Sequence, residues 1–134
     1  MRLFVDTSVW SLALRRDRPG ESPYVERLDS ALDGGDSVFV TGIVLQEILQ
    51  GFAGPRARDR IIEAFSALPL ITPTREDHID AAELRNACRR RGIQLGTIDA
   101  LLAQLCVRHD LAMFTADRDF EHAADVVPLR LVSL

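Results

Sequence analysis

Arg2-Leu3-Phe4-Val5-Asp6-Thr7-Ser8 is an apolar run that stops abruptly at a carboxylate followed by two hydroxyls. Leu3 to Val5 predict a short buried strand, and Asp6 falls where that strand leaves the core. Thr7 or Ser8 can cap a helix that starts at once. In an open α/β sheet, ligands bind just beyond the carboxyl ends of the strands. An acid at that point is either a helix cap or part of a site. Which one depends on whether other acids converge on it.

The rest of the chain alternates between the two periodicities. Val9 to Leu14 read as a short helix running into Arg15 and Arg16, and Asp17-Arg18-Pro19-Gly20 as a loop. Ser22-Pro23 is an N-cap followed by proline at the first helical position. Val25, Leu28 and Leu32 would line one face of that helix, and Gly34-Gly35-Asp36 turns the chain. Ser37 to Val40 predict a second strand. Thr41 then opens a helix with Val44, Leu45, Ile48, Leu49 and Phe52 at helical spacing. Gly54-Pro55 starts another helix, with Ile61, Ile62, Phe65 and Leu68 as its stripe. Leu70-Ile71, between prolines, fits only a minor or edge strand. Glu76 to Arg91 form a long helix with Ala81, Leu84 and Cys88 inside, ending in a basic turn and Gly92. Thr97 would cap a helix whose core face is Ile98, Leu101, Leu102 and Leu105. Ala112 to Thr115 form a strand, a short helix follows through Ala124, and Leu129 to Val132 close the chain as a strand. This alternation predicts an α/β fold with a mainly parallel sheet.

A length of 134 residues suits one domain, 1–134, with a real core. No apolar run approaches the ~20 residues of a membrane helix. The start carries no basic region followed by an apolar stretch, so the expected location is the cytoplasm, with no membrane association. Cys88 and Cys106 lack a C-x-x-C pattern and are expected as buried reduced thiols. All 16 basic residues are arginine. The absence of lysine excludes a P-loop, a Schiff-base enzyme and a lysine-dependent phospho-receiver. The arginines cluster at 15, 16 and 18, at 56, 58 and 60, and at 89, 90 and 91. In a chain of net charge −4 they suggest basic patches around an acidic centre.

Four acids belong to one edge of such a sheet. Asp6 and Asp117 each follow a predicted parallel strand, and Asp99 lies in the first turn of a helix. Glu47 interrupts the apolar helix that follows strand two, with Gly51 one turn on leaving room beside it. Each has an ordinary reading: a cap for Asp6, a dipole partner for Asp99, a rim residue with a packed stem for Glu47. Together they would repel unless protonated or neutralised by a cation. Oxygen donors favour a hard divalent ion, Mg²⁺ or Mn²⁺. His78, His109 and His122 have no zinc-ligand spacing.

Val5-Asp6-Thr7-Ser8-Val9-Trp10, Glu47-Ile48-Leu49-Gln50-Gly51, Ile98-Asp99-Ala100-Leu101-Leu102-Ala103 and Thr115-Ala116-Asp117-Arg118-Asp119-Phe120, in this order and spacing, resemble the PIN-domain family. Within it they resemble the VapC group of toxin ribonucleases of type II toxin–antitoxin pairs, over essentially the whole chain. The resemblance implies a three-layer α/β/α PIN-like fold and metal-dependent RNA cleavage at an acidic site. The family's acids fall on Asp6, Glu47, Asp99 and Asp117, with Asp119 as a variable fifth. Ser8 and Thr115 match hydroxyl positions near the metal. The implied partner is a small VapB-type antitoxin whose tail occupies the cleft. Exposed apolar residues around Trp10 and from Val44 to Phe52 would form an antitoxin groove or a homodimer face, or else belong to the core.

In this reading Asp6 and Asp99 are direct ligands, Asp117 completes the first ion or helps hold a second, and Glu47 binds metal or orients the attacking water. Arg15, Arg16, Arg89 and Arg90 would grip the RNA backbone. Two other readings stay open. A phosphatase with Asp6 as nucleophile usually has a second Asp two residues on, where this chain has Ser8. A non-catalytic Mg²⁺-binding interaction module would keep the acids without turnover. A DNA substrate also fits, since no residue selects a 2′-hydroxyl.

Overall fold

The computed structural model describes residues 1–15, 22–52 and 54–134. The loop expected at Asp17 to Gly20, and Arg16 and Arg18, lie outside them. Five strands form one parallel sheet in the order β3-β2-β1-β4-β5: β1 (Arg2–Val5), β2 (Ser37–Thr41), β3 (Leu70–Ile71), β4 (Ala112–Phe114) and β5 (Arg130–Leu131). The helices are α1 (Thr7–Leu14), α2 (Pro23–Ser30), α3 (Gly42–Gly51), α4 (Pro55–Ser66), α5 (Arg75–Arg90), α6 (Thr97–Arg108) and α7 (Asp119–Ala124). The chain steps outward from β1 to β2 to β3, then crosses back to β4 on the other side of β1. Right-handed crossovers therefore put α1 to α4 on one face and α5 to α7 on the other. The result is the expected three-layer α/β/α arrangement.

Burial on both faces explains the unbroken apolar strands. Leu3, Phe4, Val5, Val40, Met113 and Phe114 are all fully buried. On one face Trp10 of α1 meets Phe65 of α4, with ring centroids 4.6 Å apart, and Tyr24 of α2 stacks over Phe114 at 6.0 Å. Trp10, Val44 and Ile48 thus belong to the core. Cys88 and Cys106 are free and buried, as expected.

Glycine is required at two helix ends. Gly34, at φ 117°, lets the chain leave a wide final turn over Ala31–Gly35. Gly92, at φ 75°, closes α5: its N–H donates to the Arg89 carbonyl, and the Ile93 N–H to the Cys88 carbonyl, 2.9 Å each.

Three apolar residues expected inside are exposed. Leu32 is carried off the Val25–Leu28 face by that wide turn, and Ala31 takes the inward position. Ile62 lies one residue round α4 from Ile61 and Phe65, which already fill the inner row. Ile98 sits in the first turn of α6, at the sheet's edge, and the buried face is Ala100, Leu102, Ala103, Leu105 and Cys106, with Leu101 only half-buried. Thr97 is not the cap of α6: Gly96 precedes the helix in extended conformation and its carbonyl accepts from Ala100 N–H at 2.9 Å.

The opposite end of the sheet carries a buried carboxylate outside the acidic group. Asp77 forms a capping box with Thr74: Asp77 Oδ2 accepts from Thr74 N–H at 2.8 Å, and Thr74 Oγ1 accepts from Asp77 N–H at 3.3 Å. Arg108 Nε of α6 approaches Asp77 Oδ1 at 2.6 Å, close as a contact of charges but out of line for a hydrogen bond. Burial pushes the Asp77 carboxyl up, but the Thr74 groups and Arg108 more than offset it and hold it below the ordinary carboxylate value. Asp77→Ala is expected to cost about 2 kcal/mol or more at neutral pH, since it removes a cap and strands Arg108. A carboxyl depressed in the folded state stabilises above the ordinary pKa of 3.8 and loses that contribution as pH falls through its lower folded value. Urea unfolding should therefore show a smaller difference between wild type and variant at pH 3 than at pH 7.

Candidate metal-dependent active site

β1 and β4 are neighbours, with Val5 opposite Phe114, and the Asp6 N–H donates to the Phe114 carbonyl at 2.9 Å. The connections leave these two strands in opposite directions, so the crevice at their carboxyl ends is the topological switch point. Asp6 sits at it, 6% exposed.

Asp6 stands in the cap position of α1, and its carbonyl accepts from the Val9 and Trp10 N–H groups, but its side chain does no capping. Nor do the two hydroxyls after it. Ser8 Oγ donates to Asp6 Oδ2 at 2.8 Å, and Thr115 Oγ1 donates to the same oxygen at 2.9 Å. Each hydroxyl in turn accepts a backbone N–H from the turn after β4: Ala116 onto Ser8 at 2.9 Å, Asp117 onto Thr115 at 3.0 Å. The two hydroxyl hydrogens are therefore spent on one Asp6 oxygen. The other, Oδ1, takes no hydrogen bond from the described residues.

Thr7 turns the other way and donates to Glu47 Oε1 at 2.9 Å, tying α3 to the end of β1. Glu47 is thereby half-buried in the cleft and fixed. Gly51 has no part in this, because a Cβ there would meet nothing within 4 Å. Asp117 is also held, its Oδ1 accepting from the Asp119 N–H at 2.9 Å. Asp119, in the first turn of α7, is exposed.

Asp99 is the group that feels the whole assembly. Burial, then the charges of Asp6, Asp117, Glu47 and Asp119, push its carboxyl up to about 6. Among the described residues no cationic side chain offsets these acids at Asp99. The five acids thus converge, and what they lack is positive charge. Among the described residues no three carboxylate, imidazole or thiolate groups close into a ready-made metal cage. The donors gathered here are all carboxylate oxygens, which suit Mg²⁺ or Mn²⁺ better than zinc. Asp6, through its open Oδ1, and Asp99 are the residues that could hold such an ion.

The basic residues divide. Arg89 lines a hollow beside Asp119, while Arg90 is exposed in the last turn of α5. Arg15 lines a groove of about 900 Å³ with Ala13, Leu14, Phe52, Arg56 and Arg60. Arg16 lies outside the described residues. Sequence patterning passed over two participants. Thr7 looked like a cap, and only its contact across the cleft gives it a role. Arg85 was signalled by its spacing four residues before Arg89, on the same helical face.

The family profile that matches the chain is that of the PIN domain, over residues 3–126. The chain belongs to the PIN-domain family. It is 30% identical to Ribonuclease VapC23 of Mycobacterium tuberculosis over 123 residues, 90% of this chain and 93% of that protein. The fold is similar to that of VapBC2 from Rickettsia felis, solved bound to a promoter DNA fragment, with TM-score 0.77, 18% identity and coverage of 100% of this chain and 99% of the other. It is also similar to M. tuberculosis VapC20, described as a sarcin–ricin loop cleaving toxin, with TM-score 0.67, 22% identity and coverage of 96% and 98%. These likenesses place the chain in the VapC group of PIN-domain proteins.

The raised Asp99 carboxyl makes the metal-free chain less stable as pH rises. A folded-state value of about 6 against an ordinary 3.8 means the folded form holds the proton longer, so stability falls across that interval and stays low above it. Solvent screening in the half-open cleft reduces the effect to about 1 kcal/mol. Asp99→Asn should therefore raise the Tm of the metal-free protein at pH 7 and leave it unchanged near pH 3.5. Equal shifts at both pH values would show that the Asp99 carboxyl is not raised in the folded chain.

Proposed function

We propose that this chain is a divalent-metal-dependent endoribonuclease, acting in the cytoplasm as the toxin of a VapBC-type pair. The observation that carries the reading is the Asp6 carboxylate, held through one oxygen by Ser8 and Thr115 and left open through the other, among four further acids. Membership in the VapC group supports RNA as substrate, and the all-oxygen donor set supports Mg²⁺ or Mn²⁺.

Bound there, a divalent cation supplies Lewis acidity, neutralising phosphodiester charge and lowering the pKa of water. Asp6 and Asp99 would hold it, and Asp117 would join them or serve a second ion. Ser8 and Thr115 act through Asp6, keeping its open oxygen aimed into the cleft. Glu47, steadied by Thr7, orients the attacking water and takes its proton. Attack by water leaves a 5′-phosphate and a 3′-hydroxyl. Asp119 stands at the rim, and Arg15, Arg16, Arg89 and Arg90 hold the RNA backbone.

Asp6→Asn and Asp99→Asn should each lower RNA cleavage by at least ~100-fold, the scale of losing one group that stabilises the transition state, with circular dichroism unchanged. EDTA should abolish cleavage and Mg²⁺ or Mn²⁺ restore it. Wild-type protein that binds Mg²⁺ yet cleaves no transfer, ribosomal or messenger RNA would instead favour a non-catalytic module.

The groove between α1, α3 and α4 is the proposed seat of the antitoxin. Its walls are apolar, and Arg15, Arg56 and Arg60 lie among the lining residues, so it suits an amphipathic segment carrying acids. Ala64→Arg, in the exposed part of its lining, should leave RNA cleavage intact and prevent co-purification with the antitoxin. Retained co-purification would move the antitoxin surface elsewhere.

A further inference from the structure

A second hollow, of about 410 Å³, adjoins the acidic cleft. That is within the range of small-molecule sites, roughly 300–1,000 Å³. α5 contributes Arg85 and Arg89, one turn apart on the same face. The connection to α6 contributes Ile93, Gln94, Leu95 and Gly96, and α7 contributes Asp119. The hollow and the cleft share a wall: a Cβ at Gly96 would lie 3.5 Å from Asp99 Oδ2, and the Asp119 N–H is bonded to Asp117.

The charges here are unmatched. Arg85 Nε donates to the Leu95 carbonyl at 2.7 Å, which pins the guanidinium across the hollow. Its terminal nitrogens bond to none of the described residues. Arg89 reaches only the neutral Asn86 Oδ1, at 3.3 Å. Among the described residues no carboxylate lies within ion-pair distance of either guanidinium, Asp119 included. Two planar guanidinium groups in one concavity match the paired oxygens of a phosphodiester. Ile93 and Leu95 add apolar surface for the face of a sugar or base. The acids next door repel that phosphate and confine it to the arginine side of Asp119.

We propose that this hollow is a subsite for one nucleotide of the RNA strand, flanking the bond that is cut, with its phosphate on Arg85 and Arg89. The subsite rests on the ribonuclease reading above. It positions the strand, so its loss weakens binding more than turnover. Arg85 doubles as a strut for the segment carrying Gly96, which makes Arg89 the cleaner position to test.

The test uses a single-stranded oligoribonucleotide that the wild-type chain cleaves, with one internucleotide phosphate at a time replaced by a neutral methylphosphonate. Binding is measured on the Asp6→Asn background, and cleavage on the otherwise wild-type chain. Arg89→Gln should raise KM several-fold with kcat little changed and reduce the salt slope of binding by about 0.7, the value of one single-strand phosphate contact. Arg89→Lys should recover part of the loss. One methylphosphonate, beside the cleaved bond, should weaken binding with Arg89 present and have a clearly smaller effect in Arg89→Gln, where Arg85 alone faces that phosphate. Arg130→Gln, at the opposite end of the sheet, controls for loss of one charge. Wild-type cleavage with an unaltered slope and an unaltered methylphosphonate pattern in Arg89→Gln would overturn the subsite alone. Wild-type protein that neither binds nor cleaves RNA would overturn the ribonuclease reading and the subsite with it.

Discussion

The site depends on the pairing of β1 with β4. That pairing sets Val5 beside Phe114 and brings the residues after each strand within hydrogen-bond reach: Ser8 and Thr115 on one Asp6 oxygen, the Ala116 and Asp117 N–H groups on those two hydroxyls. A carboxylate at 6% exposure is costly unless its oxygens are satisfied. Here one oxygen is satisfied by protein, and the other is left for whatever enters the cleft. The same network ties two chain segments more than a hundred residues apart, so the site is built directly on the central strand pair of the sheet.

Around this anchor the charges are separated rather than paired. Five acids gather at the switch point, none of them ion-paired with an arginine among the described residues, and Asp99 shows the strain through its raised carboxyl. Arginines stand outside, in the hollow beside Asp119 and in the groove between α1 and α4. An acidic centre with guanidinium groups standing beside it suits a cation at its middle and a polyanion at its edge. Asp77 and Arg108, at the far end of the sheet, show the contrasting use of charge. There the two groups are matched, one is fully buried, and the pair secures helix ends.

Much of this was legible in the order of residue types. Unbroken apolar runs at Leu3–Val5 and Ala112–Phe114 announce strands covered on both faces, and the helical spacing between them announces crossovers. Acids and hydroxyls directly after those strands, at Asp6-Thr7-Ser8 and Thr115-Ala116-Asp117, mark the ligand-binding edge. Less legible was the inward side of helices whose apolar residues exceed one stripe. Leu32, Ile62 and Ile98 follow helical spacing yet face solvent, because a widened turn, a filled row and the sheet's edge each redirect them.

The sequence by itself determined the α/β class, the parallel sheet and the set of acids, since these follow from local periodicity and from which residues end strands or begin helices. Only the tertiary structure decided what each side chain does. Thr7, Ser8 and Thr115 are equally good helix caps or turn residues in the chain, and a hydroxyl bonds to whichever acceptor the fold brings within 3 Å. Strand order, not sequence order, put β4 against β1 on the side away from β2, with the turn after β4 beside Asp6. That choice turned a strand-end aspartate, most simply a cap, into an oriented carboxylate with one oxygen open to the cleft.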